Sequence, residues 1–201
     1  MSREAADDGR IAVGRNTYYH GEPFHPYGPD ARIEIGAFCS IAHEVRILGG
    51  GEHAFELPST YPFRTVLSRA GEGEWDTFAK GATRLGNDVW VGRGAMILSG
   101  SQIGHGAIVG AGAVLAGKTI PPYAIVAGNP GAIIGSRFDE PTIQRLLAIR
   151  WWDWPDELIE EMEPYFYSSI DVFLDEAERL NAAIAAAFQS QAATEQACVA
   201  S

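Results

Sequence analysis

The sequence predicts a parallel β-helix that carries one long excursion and ends in α-helices. The main observation is a repeat of six residues in which an aliphatic side chain recurs, at Leu85, Val91, Ile97, Ile103, Val109 and Leu115. The positions four residues after each of these are small or β-branched. An α-helix needs apolar residues three and four apart, and a half-buried strand alternates, so neither ordinary period fits. A hexad of this kind is typical of a parallel β-helix with a narrow interior.

An earlier block repeats the hexad before the main one. Its aliphatic positions are Ile35, Ile41 and Ile47. We therefore expect coils over about residues 33–47 and again over 85–130. The spacing between the two blocks is not a multiple of six, so we expect residues 48–84 to leave the coil as an excursion loop.

The C-terminal third has a different pattern. Apolar residues with helical spacing predict α-helices over residues 139–188, with a join near Pro155. Residues 191–201 lack apolar periodicity, so we expect a disordered tail. A chain of 201 residues with 46% hydrophobic content is enough for one substantial core. We therefore assign residues 1–190 to a single domain.

Composition excludes several classes of function. The formal net charge is −11, and no cluster of Lys and Arg resembles a nucleic-acid footprint, so we expect no nucleic-acid partner. The N-terminus is polar and acidic and no long apolar stretch occurs, so we expect no membrane segment and a cytoplasmic location. Cys39 occupies an inward hexad position and Cys198 lies near the end, which fits neither a disulfide framework nor a metal site.

The excursion contains a histidine on a glycine-rich loop, in the run Gly49 to His53. Catalytic groups concentrate on loops held by a rigid scaffold, and an imidazole can accept a proton from a hydroxyl near neutral pH. A lone loop histidine is also explained by solvation or packing. Glu52 or Glu56 could orient its second ring nitrogen, although exposed loop carboxylates are commonly just solvated.

Several separate segments resemble the xenobiotic acetyltransferase branch of the hexapeptide-repeat acyltransferases, which includes type B chloramphenicol and streptogramin A acetyltransferases. The segments are 13–15, 18–19, 35–41, 53–63, 85–92, 123–130 and 151–155. They follow the family order over about residues 11–165. The resemblance implies a left-handed β-helix, acetyl-CoA as co-substrate, and a homotrimer whose active sites lie between subunits.

The resemblance also implies roles for particular residues. His53 matches the general base, and Tyr18 and Tyr19 match a segment of the acceptor pocket. The positions matched to acetyl-CoA are Trp90, Lys118, Asn129 and Arg137. Lys118 lies in a segment one residue longer than the usual pattern, so Arg137 is the preferred phosphate ligand. Subunit packing for Trp90, and packing of the N-terminal arm for the two tyrosines, stay open as alternatives.

The expected function is therefore transfer of an acetyl group from acetyl-CoA to a hydroxyl of a small molecule, such as chloramphenicol or a streptogramin. The alternatives are acetylation of a sugar or nucleotide-sugar, and a noncatalytic β-helix that serves as a binding module. The segment between His20 and Arg32 is shorter than the insertion associated with chloramphenicol-modifying members, which leaves the acceptor open. The coil histidines lack the spacing of a zinc site, so we expect no metal.

Overall fold

The computed structural model describes residues 9–67 and 76–199. The chain divides into two units, Met1–Phe138 and Asp139–Ser201. The sequence predicted one domain over residues 1–190, whereas the structure separates the C-terminal helices from the coils.

The first unit is a parallel β-helix in which a coil consists of three short strands. The first two coils contain β1 (Ile11–Val13), β2 (Tyr18–Tyr19), β3 (Phe24–His25), β4 (Ile33–Ile35), β5 (Ser40–Ile41) and β6 (Arg46–Leu48). The sequence predicted that the coil begins at about residue 33, so one whole coil was missed. Val13 and Tyr19 are six residues apart and both lie against the core, but the hexad was read from aliphatic residues only.

The excursion leaves the coil after β6, and its described residues, 49–67 and 76–82, form two strands and a short helix. These are β7 (Glu52–His53), α1 (Phe63–Val66) and β8 (Thr77–Phe78). Because β7 and β8 pair antiparallel, the excursion returns to the coil next to the point where it left. Its observed limits, between Leu48 and Thr83, agree closely with the predicted 48–84.

The later coils follow the predicted hexad. They contain β9 (Thr83–Leu85), β10 (Trp90–Val91), β11 (Met96–Ile97), β12 (Gln102–Ile103), β13 (Ile108–Val109), β14 (Val114–Leu115), β15 (Thr119–Ile120) and β16 (Ala124–Ala127). A final strand, β17 (Ala132–Ser136), turns back and pairs antiparallel with β16.

Hydrogen bonds between successive coils form three sheets, one on each side of a triangular prism. The first sheet has the order β1-β4-β9-β12-β15, the second β17-β16-β13-β10-β5-β2, and the third β14-β11-β6-β3. Every pair within them is parallel except the last hairpin. Each strand therefore points one row of side chains into the prism and one row outward.

The interior of the prism is filled by the hexad residues. All six aliphatic positions of the main block are at most 4% exposed, and the small residues Ala95, Ala107 and Ala113 are fully buried between them. Cys39 lies in the same core, and burial raises the pKa of its thiol to about 11. It is a small core residue, as its hexad position predicted.

The second unit consists of helices. They are α2 (Glu140–Ile149), a 3-10 turn (Trp151–Asp153), α3 (Asp156–Phe166) and α4 (Ile170–Val199). The sequence predicted a disordered tail over 191–201, whereas α4 continues to Val199 through residues that include strong helix formers such as Ala, Gln and Glu. Ala200 and Ser201 lie outside the described residues. In the ranges 9–67 and 76–199, no helix has the length and apolar character needed to cross a membrane.

Close stacking of the coils explains why glycine follows several hexad aliphatics. A Cβ built on Gly36 would lie 2.5 Å from the carbonyl carbon of Gly86 one coil away. Both are backbone positions, and neither can move without breaking the ladder between β4 and β9. Only glycine is accommodated there.

We expect Gly36→Ala to lower the free energy of unfolding by about 1–3 kcal/mol, since overpacking of a rigid contact must displace backbone. Urea denaturation measures this change. Gly135→Ala is the matched control, because a Cβ on Gly135 meets nothing within 4 Å. Equal stability of the two variants would contradict the packing argument.

Candidate active site

The candidate base, His53, lies on β7 where the excursion leaves the prism. Its side chain is exposed, and its backbone is paired with Thr77 of β8. The ring atom Nδ1 is 2.7 Å from the carbonyl oxygen of Thr60. A carbonyl oxygen can only accept a hydrogen bond, so Nδ1 must carry the hydrogen. The neutral ring therefore presents its lone pair at Nε2, which is the form a general base needs.

The group that orients His53 differs from the one suggested by the sequence. Glu52 forms an ion pair with Lys80 at 3.1 Å, and Glu56 is exposed. Orientation comes from the main-chain carbonyl of Thr60 instead. Sequence could not identify this group, because every residue has a carbonyl and only the loop conformation selects one.

Next to the histidine, the excursion forms an open depression of about 550 Å³. Its walls are lined by Ala54, Leu57, Pro58, Ser59, Tyr61, Phe63, Arg64, Asp76, Thr77 and Phe78. Ala54 and Thr77 are the direct neighbours of His53, in sequence and across the hairpin. Large apolar side chains are exposed along the same segment, with Phe55 85% exposed and Phe63 53% exposed. The surface beside the base is therefore mostly apolar, with one basic and one acidic group at its wall.

Trp90 lies on the outward row of the second sheet. In register with it are Ser40 on one neighbouring strand and Ile108 on the other. The indole is 54% exposed, so in this single chain half of a large apolar ring is in contact with water. The sequence left two roles open for Trp90. An acyl donor or a neighbouring subunit in contact with the indole would each cover its exposed half.

Tyr18 and Tyr19 point to opposite sides of β2. Tyr19 packs against the hydrophobic core and edge-on to Phe24, with ring centroids 5.0 Å apart. Tyr18 points outward, is half exposed and pairs with Ser40, which places it in the same row as Trp90. We therefore retain only Tyr18 as a candidate acceptor residue, since strand alternation assigns Tyr19 to the core.

Arg137 makes contacts within its own chain. Its guanidinium donates to Asp88 Oδ2 at 3.0 Å and to the carbonyl of Gly106 at 2.8 Å, and it lies over the rings of Tyr123 and Phe138. Burial raises the pKa of the Asp88 carboxyl, and Arg137 partly offsets that rise. The arginine thus compensates a partly buried carboxylate, and a phosphate ligand would have to share the guanidinium with that carboxylate.

Lys118 and Asn129 lie close together at the end of the coil. Lys118 is exposed and its ammonium donates to the carbonyl of Gly131 at 2.7 Å. Asn129 is exposed two residues before that carbonyl, in the turn between β16 and β17. The Lys118 ammonium donates to a neutral carbonyl and keeps its full charge available for an anion, whereas the charge of Arg137 is already paired with Asp88.

Comparison with known proteins agrees with this architecture. Residues 82–117 match the family model described as bacterial transferase hexapeptide (six repeats). The chain is 39% identical over 182 residues to a chloramphenicol acetyltransferase of Escherichia coli, covering 83% of this chain and 86% of that protein. It is 38% identical over 169 residues to the virginiamycin A acetyltransferase of Staphylococcus aureus, covering 77% and 76%.

Further matches extend the comparison. A probable macrolide acetyltransferase of Lysinibacillus sphaericus is 37% identical over 138 residues, covering 66% of this chain and 76% of that protein. Among solved structures, an N-acyltransferase from Bacillus cereus superposes with a TM-score of 0.50 at 18% identity, covering 78% and 83% of the two chains. At that identity the structural match supports the fold alone.

The repeat, the three parallel sheets and the excursion define the class of hexapeptide-repeat acyltransferases, and the predicted left-handed β-helix is confirmed. Within that class, the chain belongs to the xenobiotic acetyltransferase branch and is an acetyltransferase, as the separate sequence segments predicted.

We expect Arg137→Met to destabilise the protein by about 1–2 kcal/mol at pH 7.5, because it leaves the partly buried Asp88 carboxylate without its cation. The raised pKa of Asp88 means that the folded state takes up a proton more readily than the unfolded chain. Stability contributed by this group therefore rises as pH falls. The deficit of the variant should shrink at pH 4.5, as measured by urea denaturation at both pH values.

The control is Arg93→Met, which breaks a similar ion pair between coils. Arg93 and Glu44 are both well exposed, so their attraction is screened by water. A loss of stability as large as that of Arg137→Met, or a deficit that is the same at both pH values, would contradict the role assigned to Arg137.

Proposed function

We propose that the protein transfers the acetyl group of acetyl-CoA to a hydroxyl of a small antibiotic-like molecule, with His53 as the general base. The hydrogen bond between Nδ1 and the Thr60 carbonyl supports this role most directly. It directs the lone pair to Nε2 on an exposed side chain beside an apolar depression. Acetyl-CoA supplies the acetyl group as a reactive thioester.

The chemistry requires proton movement in both directions. A hydroxyl is too weakly acidic to attack at neutral pH, so Nε2 of His53 accepts its proton as the new ester bond forms. The ring is then positively charged, and its Nδ1–H bond to the Thr60 carbonyl is strengthened. His53 next gives the proton to the departing thiolate, which leaves as the neutral thiol of coenzyme A.

For the acyl donor, we assign the outer surface of the later coils. Trp90 offers an exposed ring, and the Lys118 and Asn129 side chains at the last coil offer a cation and an amide for the phosphates. Arg137 is kept as a further candidate whose contact would be shared with Asp88. These groups fit a long ligand that is apolar in part and anionic at one end.

For the acceptor, the apolar depression favours an antibiotic over a sugar. Its lining includes Leu57, Phe63 and Phe78, whereas a sugar or nucleotide-sugar requires several polar partners. The relatives named for chloramphenicol, virginiamycin A and macrolides point the same way. Acetylation of a sugar hydroxyl is the second candidate, supported by the short segment between His20 and Arg32.

We also propose a cytoplasmic homotrimer with active sites shared between subunits. The outward row of the second sheet is mostly apolar: Tyr18, Ser40, Trp90, Ile108 and Ile125. The outward row of the first sheet is mostly polar: Ala12, Glu34, Arg84, Gln102 and Thr119. This difference suits a second sheet that is covered by a neighbouring subunit and a first sheet that stays in contact with water. If each subunit contacts the next through two different surfaces and the third returns to the first, the result is a closed trimeric ring.

We expect His53→Ala to lower kcat by about 10² to 10⁴, the usual contribution of a general base, without changing stability. Thiol release from acetyl-CoA should be measured against chloramphenicol, a streptogramin A compound, a macrolide, aminosugars and nucleotide-sugars. His43→Ala, an exposed histidine of the coil, is the control and should retain activity. Coenzyme A binding with no thiol release from any acceptor would favour the noncatalytic binding module.

A pair of matched variants tests the trimer. Ile108→Glu places a charge on the apolar outward row and Thr119→Glu places the same charge on the polar row. We expect the first to yield a folded but inactive monomer and the second to stay trimeric and active, measured by light scattering, circular dichroism and thiol release. Full specific activity in the Ile108→Glu monomer would count against a shared site.

A further inference from the structure

We propose that Asp76 is a positioning residue for His53, and that it acts through α1 and the carbonyl of Thr60. This inference rests on the proposed role of His53 as the base. It concerns how an exposed loop can hold one tautomer of a histidine, since neither His53 nor Thr60 is fixed by burial.

The first step is the contact that Asp76 makes. Its Oδ2 accepts the N–H of Thr65, in the first turn of α1, at 2.8 Å. The residue before α1 is Pro62, which provides no side-chain cap, and the first N–H groups of a helix have no acceptor within it. Asp76 thus supplies, from the far side of the excursion, the acceptor that a capping residue normally gives.

The second step connects α1 to the carbonyl that orients the base. The N–H of Phe63 donates to the carbonyl of Tyr61 at 2.9 Å, and the two rings meet edge to face with centroids 4.8 Å apart. The N–H of Tyr61 donates to Ser59 Oγ at 3.1 Å. That N–H belongs to the same peptide plane as the Thr60 carbonyl, so the plane that binds His53 is held from both of its ends.

The third step closes the circuit. Asp76 immediately precedes Thr77, and Thr77 is the partner of His53 across β7 and β8. A continuous series of contacts therefore links His53 to the Thr60 carbonyl and α1. From α1 it continues through Asp76 to β8, the strand paired with β7. Without Asp76, α1 loses this hydrogen bond to the residue that precedes β8, and we expect the Thr60 peptide to be held less firmly. An exposed histidine then favours the tautomer with hydrogen on Nε2, which has no lone pair there for a substrate hydroxyl.

The test compares Asp76→Ala with Asp76→Asn, because asparagine keeps an oxygen that can accept from Thr65 but carries no charge. We expect Asp76→Ala to lower kcat about 10- to 100-fold, the scale of a misplaced catalytic group, with KM for acetyl-CoA unchanged within about twofold. Asp76→Asn should recover most of the loss. NMR of protein labelled with ¹⁵N-histidine, with His53 assigned by comparison with His53→Gln, should show hydrogen on Nδ1 in the wild type and a shift toward Nε2 in Asp76→Ala.

The matched control is Asp139→Ala. Asp139 Oδ1 accepts the N–H of Thr142 at 3.1 Å in the first turn of α2, the same kind of bond in the other unit. It should cost stability and leave the His53 signals unchanged. The proposal fails if Asp76→Ala keeps the wild-type tautomer, if asparagine does no better than alanine, or if Asp139→Ala shifts the tautomer equally. The NMR measurement needs no substrate, so it tests the positioning role even if the proposed transfer reaction is not observed.

Discussion

The structure depends on how closely successive coils of the prism approach one another. Backbone atoms of one coil lie so near the next that a single methyl group on Gly36 would collide with Gly86. This spacing is set by the parallel hydrogen-bond ladders, and the interior is filled by aliphatic residues with small residues such as Ala95, Ala107 and Ala113 between them. The six-residue repeat in the sequence follows from this packing, because each side of a coil needs the same kinds of residue. The candidate base and the depression beside it both lie on the excursion, which is added to this regular scaffold.

The excursion is stabilised in a different way from the coil. The coil is held by repeated backbone ladders and a buried core, whereas the contacts described for the excursion are mostly exposed and include an ion pair, a short hairpin and side-chain acceptors. Each such bond in water is worth only about 1 kcal/mol. A reactive group placed there is accessible to substrate, but its orientation depends on a small number of hydrogen bonds, which involve Thr60, Ser59 and Asp76. This explains why a backbone carbonyl, rather than a buried carboxylate, orients His53.

The parts of the fold that follow a repeating pattern of residues could be predicted from the sequence. The coils, the excursion and the C-terminal helices were predicted from residue type and spacing, whereas the family was predicted from the resemblance of several separate segments to the xenobiotic acetyltransferases. The first coil was missed because Tyr19 and Phe24 take inward positions that were expected to be aliphatic. The C-terminal helix was underestimated because helix formation needs propensity, whereas periodicity reports only packing. The Thr60 carbonyl could not be found at all, because no residue type marks it.

The same alternation of side chains that builds the core also distributes function over the outside. In β2, one step along the strand separates Tyr19 in the core from Tyr18 in the outward row that continues to Trp90. In β4 and β9, the corresponding outward positions hold Glu34 and Arg84, which pair with each other in contact with water. One prism thus presents an apolar face and a charged face without any change of backbone. In the trimer that we propose, a second subunit that covers the apolar face would place its own coil beside a neighbour's excursion, so that the candidate base and the outward row would face each other across the subunit boundary.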